Sequence, residues 1–475
     1  MPDLSTDFAG IRCPNPFWLA SGPPANCGDQ VMRAFDAGWG GAVWKTIGDP
    51  IVNVSSRYSS VDWNGQRMMG LNNIELISDR PIEVNLREIT EVKKRYPNHA
   101  VIASLMVESK RETWHDIVKR TEDSGADGLE LNFGCPHGMS ERGMGSAVGQ
   151  VPEYSCMITE WVKEVARTPV LVKLTPNISD IRMVARAAKR GRADGLSAIN
   201  TINSITGIDL DTLTPRPNVG GYSSHGGYCG PAVKPIALHL VQQITSDPEV
   251  RLPVSGIGGV SGWREAAEFI LLGCGTVQVC TAAMHYGFRI VEDMIDGLKN
   301  WMEEKGFRTI EDFRGLALPK ATEWKHLDLN YKIVARIDPQ KCIGCDLCYV
   351  ACWDGAHQCI HLDRQDGRPV LLDRQDGRPV LLDRQDGRPV LQNHAPPATI
   401  EARTRASIVT SPIAKLDGVQ FTNTTTPTGR IPRVDEDECV GCNLCWLVCP
   451  VEHCISMEQI DTGRPHESWE MRTHA

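Results

Sequence analysis

Two four-cysteine runs near the end of the chain constrain it most. Cys342, Cys345, Cys348 and Cys352 are spaced Cys-x2-Cys-x2-Cys-x3-Cys. Cys439, Cys442, Cys445 and Cys449 repeat that spacing, with Pro450 directly after. Three thiolates this close wrap one face of an iron–sulfur cubane, and the fourth lies too far round the turn to reach the same cluster. The spacing therefore predicts two [4Fe–4S] clusters with exchanged fourth ligands. One takes Cys342, Cys345, Cys348 and Cys449; the other takes Cys439, Cys442, Cys445 and Cys352. Structural zinc also takes four thiolates, but from pairs rather than runs of four. Exchanged ligation requires the two halves to pack together, so the stretch between them must loop out. Cys359 and Cys454 fit neither run and are expected as small buried hydrophobes.

The rest of the chain is a different kind of sequence. Of 17 cysteines, seven are scattered before residue 300 and ten crowd between Cys342 and Cys454. Hydrophobic residues make up 41% and charged residues 23% of 475 positions, the balance of a folded globular protein. A net charge of −9 argues against a general nucleic-acid binder, which would carry a basic stripe. No apolar run approaches the ~20 residues that cross a bilayer. The opening Met-Pro-Asp-Leu-Ser has neither the basic nor the apolar part of a secretory signal, so a reducing, cytoplasmic setting is expected.

Up to about residue 300, short apolar runs alternate with amphipathic stretches. The runs are 17–21, 42–46, 101–106, 128–132, 170–174, 195–200, 253–257 and 276–280; helical periodicity marks 31–37, 114–123, 154–166, 181–189, 263–272 and 290–304. Eight such units predict a (β/α)8 TIM barrel followed by a small ferredoxin-like α+β domain. We place the barrel at 1–304, a connector at 305–335, and the halves of the cysteine domain at 336–371 and 431–460. A tail follows at 461–475. The segment 372–430 reads as an insertion. It continues a tripled Leu-Asp-Arg-Gln-Asp-Gly-Arg-Pro-Val-Leu at 362–391, whose first Asp366-Gly367 is a hairpin signal.

Barrel chemistry sits at the C-terminal ends of the strands. Those ends are Ser21, Lys45-Thr46, Asn132 followed by Cys135, Lys173, Asn200-Thr201, Gly258-Gly259 and Cys280-Thr281. Glycines after strand seven and backbone donors after strand eight suit a phosphate. Two lysines on one rim suit an anionic reduced flavin. Cys135 directly follows strand four, beside the glycine-rich Ser140-Glu-Arg-Gly-Met-Gly-Ser146, which places a thiol for proton transfer next to a loop.

Asn132 through Gly149, with Asn73-Ile-Glu75-Leu-Ile77 and Ala198-Ile-Asn200-Thr201, resembles the pyrimidine-reducing half of the dihydropyrimidine dehydrogenases. The likeness covers 1–360 and 431–457. More distantly, the barrel is similar to the class 1 dihydroorotate dehydrogenases. The resemblance implies an NAD-linked oxidoreductase acting on CH–CH groups, with FMN in the barrel and Cys135 as general acid to C5 of uracil or thymine. Hydride would reach C6, the first step of reductive pyrimidine breakdown. It implies that Asn73, Asn132, Asn200 and Thr201 bind the ring's polar edge, with Glu75 and Ile77 lining the same pocket. Lys45 and Lys173 would lie by the isoalloxazine, and Ser21, Thr46, Gly258, Gly259, Cys280 and Thr281 would help hold FMN. Gly134 stands where mammalian relatives have Ser, and His137 where dihydroorotate dehydrogenases usually have Asn, which favours a neutral pyrimidine over orotate.

The chain has no clear dinucleotide fingerprint of its own. Gly256-Ile-Gly258-Gly259-Val-Ser-Gly262 already serves strand seven. The resemblance implies a partner flavoprotein subunit that binds FAD and NAD(H), together forming a heterotetramer. The alternatives are another flavin ene reductase, including a dihydroorotate dehydrogenase type, and an electron-transfer module without its own substrate.

Overall fold

The computed structural model describes residues 1–51, 53–63, 65–364 and 430–473. The chain forms two compact units, Met1–Ala321 and Thr322–Ala475. The division falls within the stretch 305–335, where short 3-10 turns at Ile310–Asp312, Leu318–Lys320 and Trp324–His326 lead into a strand at Lys332–Ile337.

The first unit is a TIM barrel. Its strands are β1 (Phe17–Leu19), β2 (Gly41–Ile47), β3 (Ala100–Leu105), β4 (Gly128–Asn132), β5 (Val170–Lys173), β6 (Gly195–Ala198), β7 (Val254–Ile257) and β8 (Thr276–Val279). All pair in parallel and close as β6-β7-β8-β1-β2-β3-β4-β5. Every residue of all eight strands is buried, as expected of strands covered on both faces. Glu130, Ser197, Ser255 and Gln278 meet one another inside. Gln278 Nε2 donates to Glu130 Oε2 at 3.1 Å, Ser197 Oγ at 3.1 Å and Ser255 Oγ at 3.2 Å. A two-stranded hairpin (Thr6–Phe8 with Ile11–Cys13) contributes the bottom cluster, Phe8 packing edge-on against Trp18 with centroids 5.6 Å apart.

Two features escape the apolar pattern. Helices Ile82–Arg95 and Lys234–Thr245 complete the outer ring. A four-stranded antiparallel sheet (Ile202–Ser204, Gly226–Cys229, Gln66–Asn73 and Tyr58–Trp63) is built from the loops after β2 and β6. It brings Asn73 and Thr201 to the mouth of the barrel.

The second unit repeats one pattern twice: strand, cysteine run, short helix, strand. Lys332–Ile337, helix Leu347–Trp353 and Ile360–Arg364 form one half; Arg430–Val434, helix Leu444–Val448 and Ile455–Ile460 form the other. The first strand pairs with the last and the second with the third, so the halves clasp each other. Leu362–Arg364, the head of the first repeat, pairs with residues 430–432. The rest of the repeats, and the insertion placed at 372–430 up to residue 429, lie outside the described residues.

Candidate active site

The ends of β1, β2, β4, β5, β6, β7 and β8 open on one cleft of about 1120 Å³. It is lined by Ser21, Lys45, Thr46, Asn132, Lys173, Asn200 and Thr201, and on the far side by Gly258, Gly259, Cys280 and Thr281. Cys135, Asn73 and Glu75 complete it from the loops. Ile77 does not reach the cleft. It is 1% exposed and packs with Met106, Met139 and Met144 behind Cys135, so its place is structural support rather than pocket lining.

A hydrogen-bonded chain crosses the mouth. Ser21 Oγ lies 3.2 Å from Thr46 Oγ1, Asn132 Nδ2 donates to Thr46 Oγ1 at 2.9 Å, and Asn200 Nδ2 donates to Asn132 Oδ1 at 3.0 Å. Thr201 N then donates to Asn200 Oδ1 at 2.7 Å. Four strand ends are thereby locked into one polar edge, with each amide's orientation set by its neighbour. Ser104, on β3, supports it from below at 3.0 Å from Thr46 Oγ1, and the strand-end reading missed it.

Cys135 is 8% exposed, and its Sγ donates to His137 O at 3.6 Å. Burial pushes its pKa up to about 11, opposed by the His137 backbone and by Lys173. The thiol therefore stays protonated at neutral pH, the form that gives a proton away. Cys280 and Cys229 share the cleft and are pushed up by burial to about 12 and about 11. The Cys229 sulfur accepts from Thr281 Oγ1 at 3.2 Å. The glycine-rich segment closes on Cys135 through Ser146 N, 3.0 Å from Cys135 O. Gly145 there has φ +56°, and a Cβ would meet Cys135 O at 2.8 Å, so only glycine fits.

The lysines are not free cations. Lys45 is ion-paired to Glu75, whose Oε1 also accepts from Arg57 Nη1 at 2.8 Å and whose Oε2 accepts from Tyr58. Burial, and then the carboxylate it donates to, push the Tyr58 pKa up. Lys173 Nζ sits 3.5 Å from Glu130 Oε1. Glu75 is thus a hub: its backbone N donates to Asn73 Oδ1 at 2.5 Å, and its carbonyl accepts from His137 Nε2 at 3.0 Å. With Nε2 donating, His137 Nδ1 carries a lone pair and, among the described residues, is buried without a partner. Burial pushes the His137 pKa down, which keeps the ring neutral.

The structure also carries cradles where flavin and cubanes fit. Gly258 and Gly259 have φ of +127° and +75°, and a Cβ on either would strike Ala237 or Lys234 at 2.6–2.7 Å. The chain after β7 thus presents bare backbone to the cleft. In the second unit, one cavity is lined by Cys342, Cys345, Cys348 and Cys449, and another by Cys439, Cys442, Cys445 and Cys352. All eight thiols are free of disulfides. Four convergent thiols per cavity are the donor set of a cubane.

Comparison with known proteins decides the family. The dihydroorotate dehydrogenase family model matches residues 3–302, and a 4Fe-4S dicluster domain matches 341–453. The chain belongs to the dihydroorotate dehydrogenase family. Among members of that family, it is 45% identical over 369 residues to the NAD-dependent dihydropyrimidine dehydrogenase subunit PreA of Escherichia coli K12, covering 77% of this chain and 89% of that one. It is 45% identical over 352 residues to the chloroplastic dihydropyrimidine dehydrogenase (NADP(+)) of Arabidopsis thaliana, covering 72% and 82%. It is 36% identical over 315 residues to the catalytic subunit of dihydroorotate dehydrogenase B (NAD(+)) of Pyrococcus horikoshii, covering 66% and 98%. The crystal structure of an Eimeria tenella DHODH in complex with ferulenol superposes with TM-score 0.56 at 18% identity, covering 66% of this chain and 88% of that one; it shares the fold.

The protein is therefore an oxidoreductase of the dihydropyrimidine dehydrogenase kind, with FMN and [4Fe–4S] clusters as cofactors. Two of these relatives, the Escherichia coli and Pyrococcus horikoshii proteins, are named as subunits, which implies a partner. Among the described residues no helix is long and apolar enough to cross a membrane.

Proposed function

We infer that the chain reduces the C5=C6 bond of uracil or thymine to the 5,6-dihydropyrimidine, reversibly. When bound, FMN supplies the hydride for C6, and the two clusters supply electrons one at a time, drawn from NADH on a partner flavoprotein with which the chain forms a heterotetramer. The residues do the rest. Asn73, Asn132, Asn200 and Thr201 offer amide and hydroxyl groups along one edge, complementary to the alternating C=O and N–H edge of a pyrimidinedione. Cys135 delivers its proton from Sγ to C5 as negative charge develops there, and takes it back in the reverse reaction. Lys173, near that thiol, favours the thiolate left behind. Exclusion of water matters because an enolate-like centre is stabilised by fixed donors in a dry site.

The observation that carries this reading is a buried thiol, its pKa pushed up by that burial, lining the same cleft as the four amide and hydroxyl groups. Neutral His137, where a carboxylate-binding amide would be expected for orotate, supports a neutral ring. To test it, the anaerobic holoprotein is reduced with dithionite and mixed with uracil, thymine and orotate in turn. Uracil and thymine should reoxidise the protein with formation of the dihydro product. Reoxidation by orotate alone would overturn the assignment.

A further inference from the structure

Each cubane cavity is lined by a fifth cysteine besides the four of its ligand set. Cys359 joins Cys439, Cys442, Cys445 and Cys352; Cys454 joins Cys342, Cys345, Cys348 and Cys449. Both extra thiols are buried, at 5% and 3% exposure. They occupy equivalent places in the two halves. Cys359 contacts the last cysteine of its own run and the first of the other run, Cys352 and Cys439. Cys454 does the same with Cys449 and Cys342. The Cys359 and Cys352 sulfurs lie 3.5 Å apart.

The backbone aims both thiols the same way. Cys359 O accepts from Asp435 N at 2.7 Å, and Cys454 O accepts from Asp338 N at 2.8 Å. Those aspartates in turn accept, through their carbonyls, from Cys439 N and Cys342 N at 3.0 Å. The residues just before the extra thiols, Gln358 and His453, have φ of +61° and +57°. Non-glycine residues seldom adopt that left-handed conformation, and such strain persists where the surroundings dictate it. The two halves repeat one fold, so the matched backbone sets the two thiols at equivalent places beside their ligand sets.

We propose that Cys359 and Cys454 are non-ligating thiols, each donating an S–H hydrogen bond to the sulfur shell of one cluster and so holding that cluster's reduction potential up. A cubane uses four thiolates, and each cavity already supplies four without them. A ligating thiolate has no proton and can only accept, so at the 3.5 Å contact of Cys359 with Cys352 the extra thiol is the donor; Cys454, whose Sγ also lies 3.9 Å from Asp338 O, stands likewise beside Cys449 and Cys342. Hydrogen bonds to cluster sulfurs favour the reduced, more negative state and raise the potential. The inference rests on the exchanged ligand sets and not on the choice of pyrimidine.

The test is an EPR-monitored redox titration of the anaerobic full-length holoprotein, with iron and sulfide content, for Cys359→Ala, Cys359→Ser, Cys454→Ala and Cys454→Ser. Each variant should keep wild-type iron. Cys359→Ala should lower the midpoint of one cluster and Cys454→Ala that of the other. The serine variants, which keep an O–H donor, should recover part of each shift. Midpoints unchanged in both alanine variants overturn the proposal, as does loss of iron from any of the four, which would make the thiol a ligand or a packing requirement. No pyrimidine enters the measurement, so a wrong substrate leaves the result readable.

Discussion

Replacing Glu75 by Gln should weaken the barrel by an amount the hub sets. The Glu75 carboxylate faces Lys45, whose side chain is 6% exposed, and Arg57, at 29%. Removing one partner of a buried pair costs about 3–5 kcal/mol, mostly because the other charge is left unpaired. Two features reduce that here. Arg57 already reaches Asp79 at 3.3 Å, and the Gln carbonyl still accepts one hydrogen bond. About 2–3 kcal/mol remains, carried by Lys45. Unfolding entropy of ~2.1 cal/mol/K per residue over the first unit, Met1–Ala321, is roughly 0.7 kcal/mol/K. The melting temperature of that unit should thus fall by about 3–4 °C. Release of FMN fluorescence on heating the holoprotein at a fixed scan rate reads this directly. Asn73 and His137 bond to the Glu75 backbone, so the site should keep its shape. A melting temperature within about 1 °C of wild type would refute the claim that a buried ion-pair hub holds this edge of the cleft.

Three further outcomes follow from the same geometry. Because burial lifts the Cys135 pKa to about 11, the proton-donating form persists below that pH: stopped-flow reduction of uracil should stay level from neutral to mildly alkaline pH and fall only towards 11, while oxidation of dihydrouracil, which needs the thiolate, should rise over the same range. A fall in the reductive rate near the ordinary thiol range would contradict this. Asn200→Ala removes the amide that donates to Asn132 and accepts from Thr201 N; KM for uracil should rise by about tenfold, equal to about 1.4 kcal/mol, and an unchanged KM would show that this edge does not bind substrate. Deleting 368–429 leaves Gln365-Asp366-Gly367 to join Arg364 to Arg430, which are cross-strand partners; a three-residue loop with Gly closes such a pair, so iron content should match the full chain, and loss of iron would mean the deleted residues are needed for the fold.

The barrel was legible because its strands are buried on both faces. Runs such as 128–132 and 276–280 coincide with β4 and β8 to within one residue. The cysteine cavities were legible because ligand spacing is a local property of the chain. The antiparallel sheet at the mouth was not. Tyr58–Trp63 and Gln66–Asn73 are half-exposed and polar, held by cross-strand pairing that no period in the sequence announces. The same holds for Glu75, whose place in the cleft could be anticipated but whose partners Tyr58 and Arg57 come from that sheet and the residue just before it. His137 was read only as a departure from a related pattern, and its tie to the Glu75 carbonyl depends on a loop contact across 62 positions.

The central claim is that the Cys135 thiol supplies the proton to the ring. Single-turnover reduction of uracil by the pre-reduced holoprotein, compared between wild type and Cys135→Ala, tests it most directly. The flavin and cluster spectra should match, and dihydrouracil formation should slow by about 10²–10⁴-fold, the usual weight of a general acid. Formation at the wild-type rate would show that the proton comes from elsewhere.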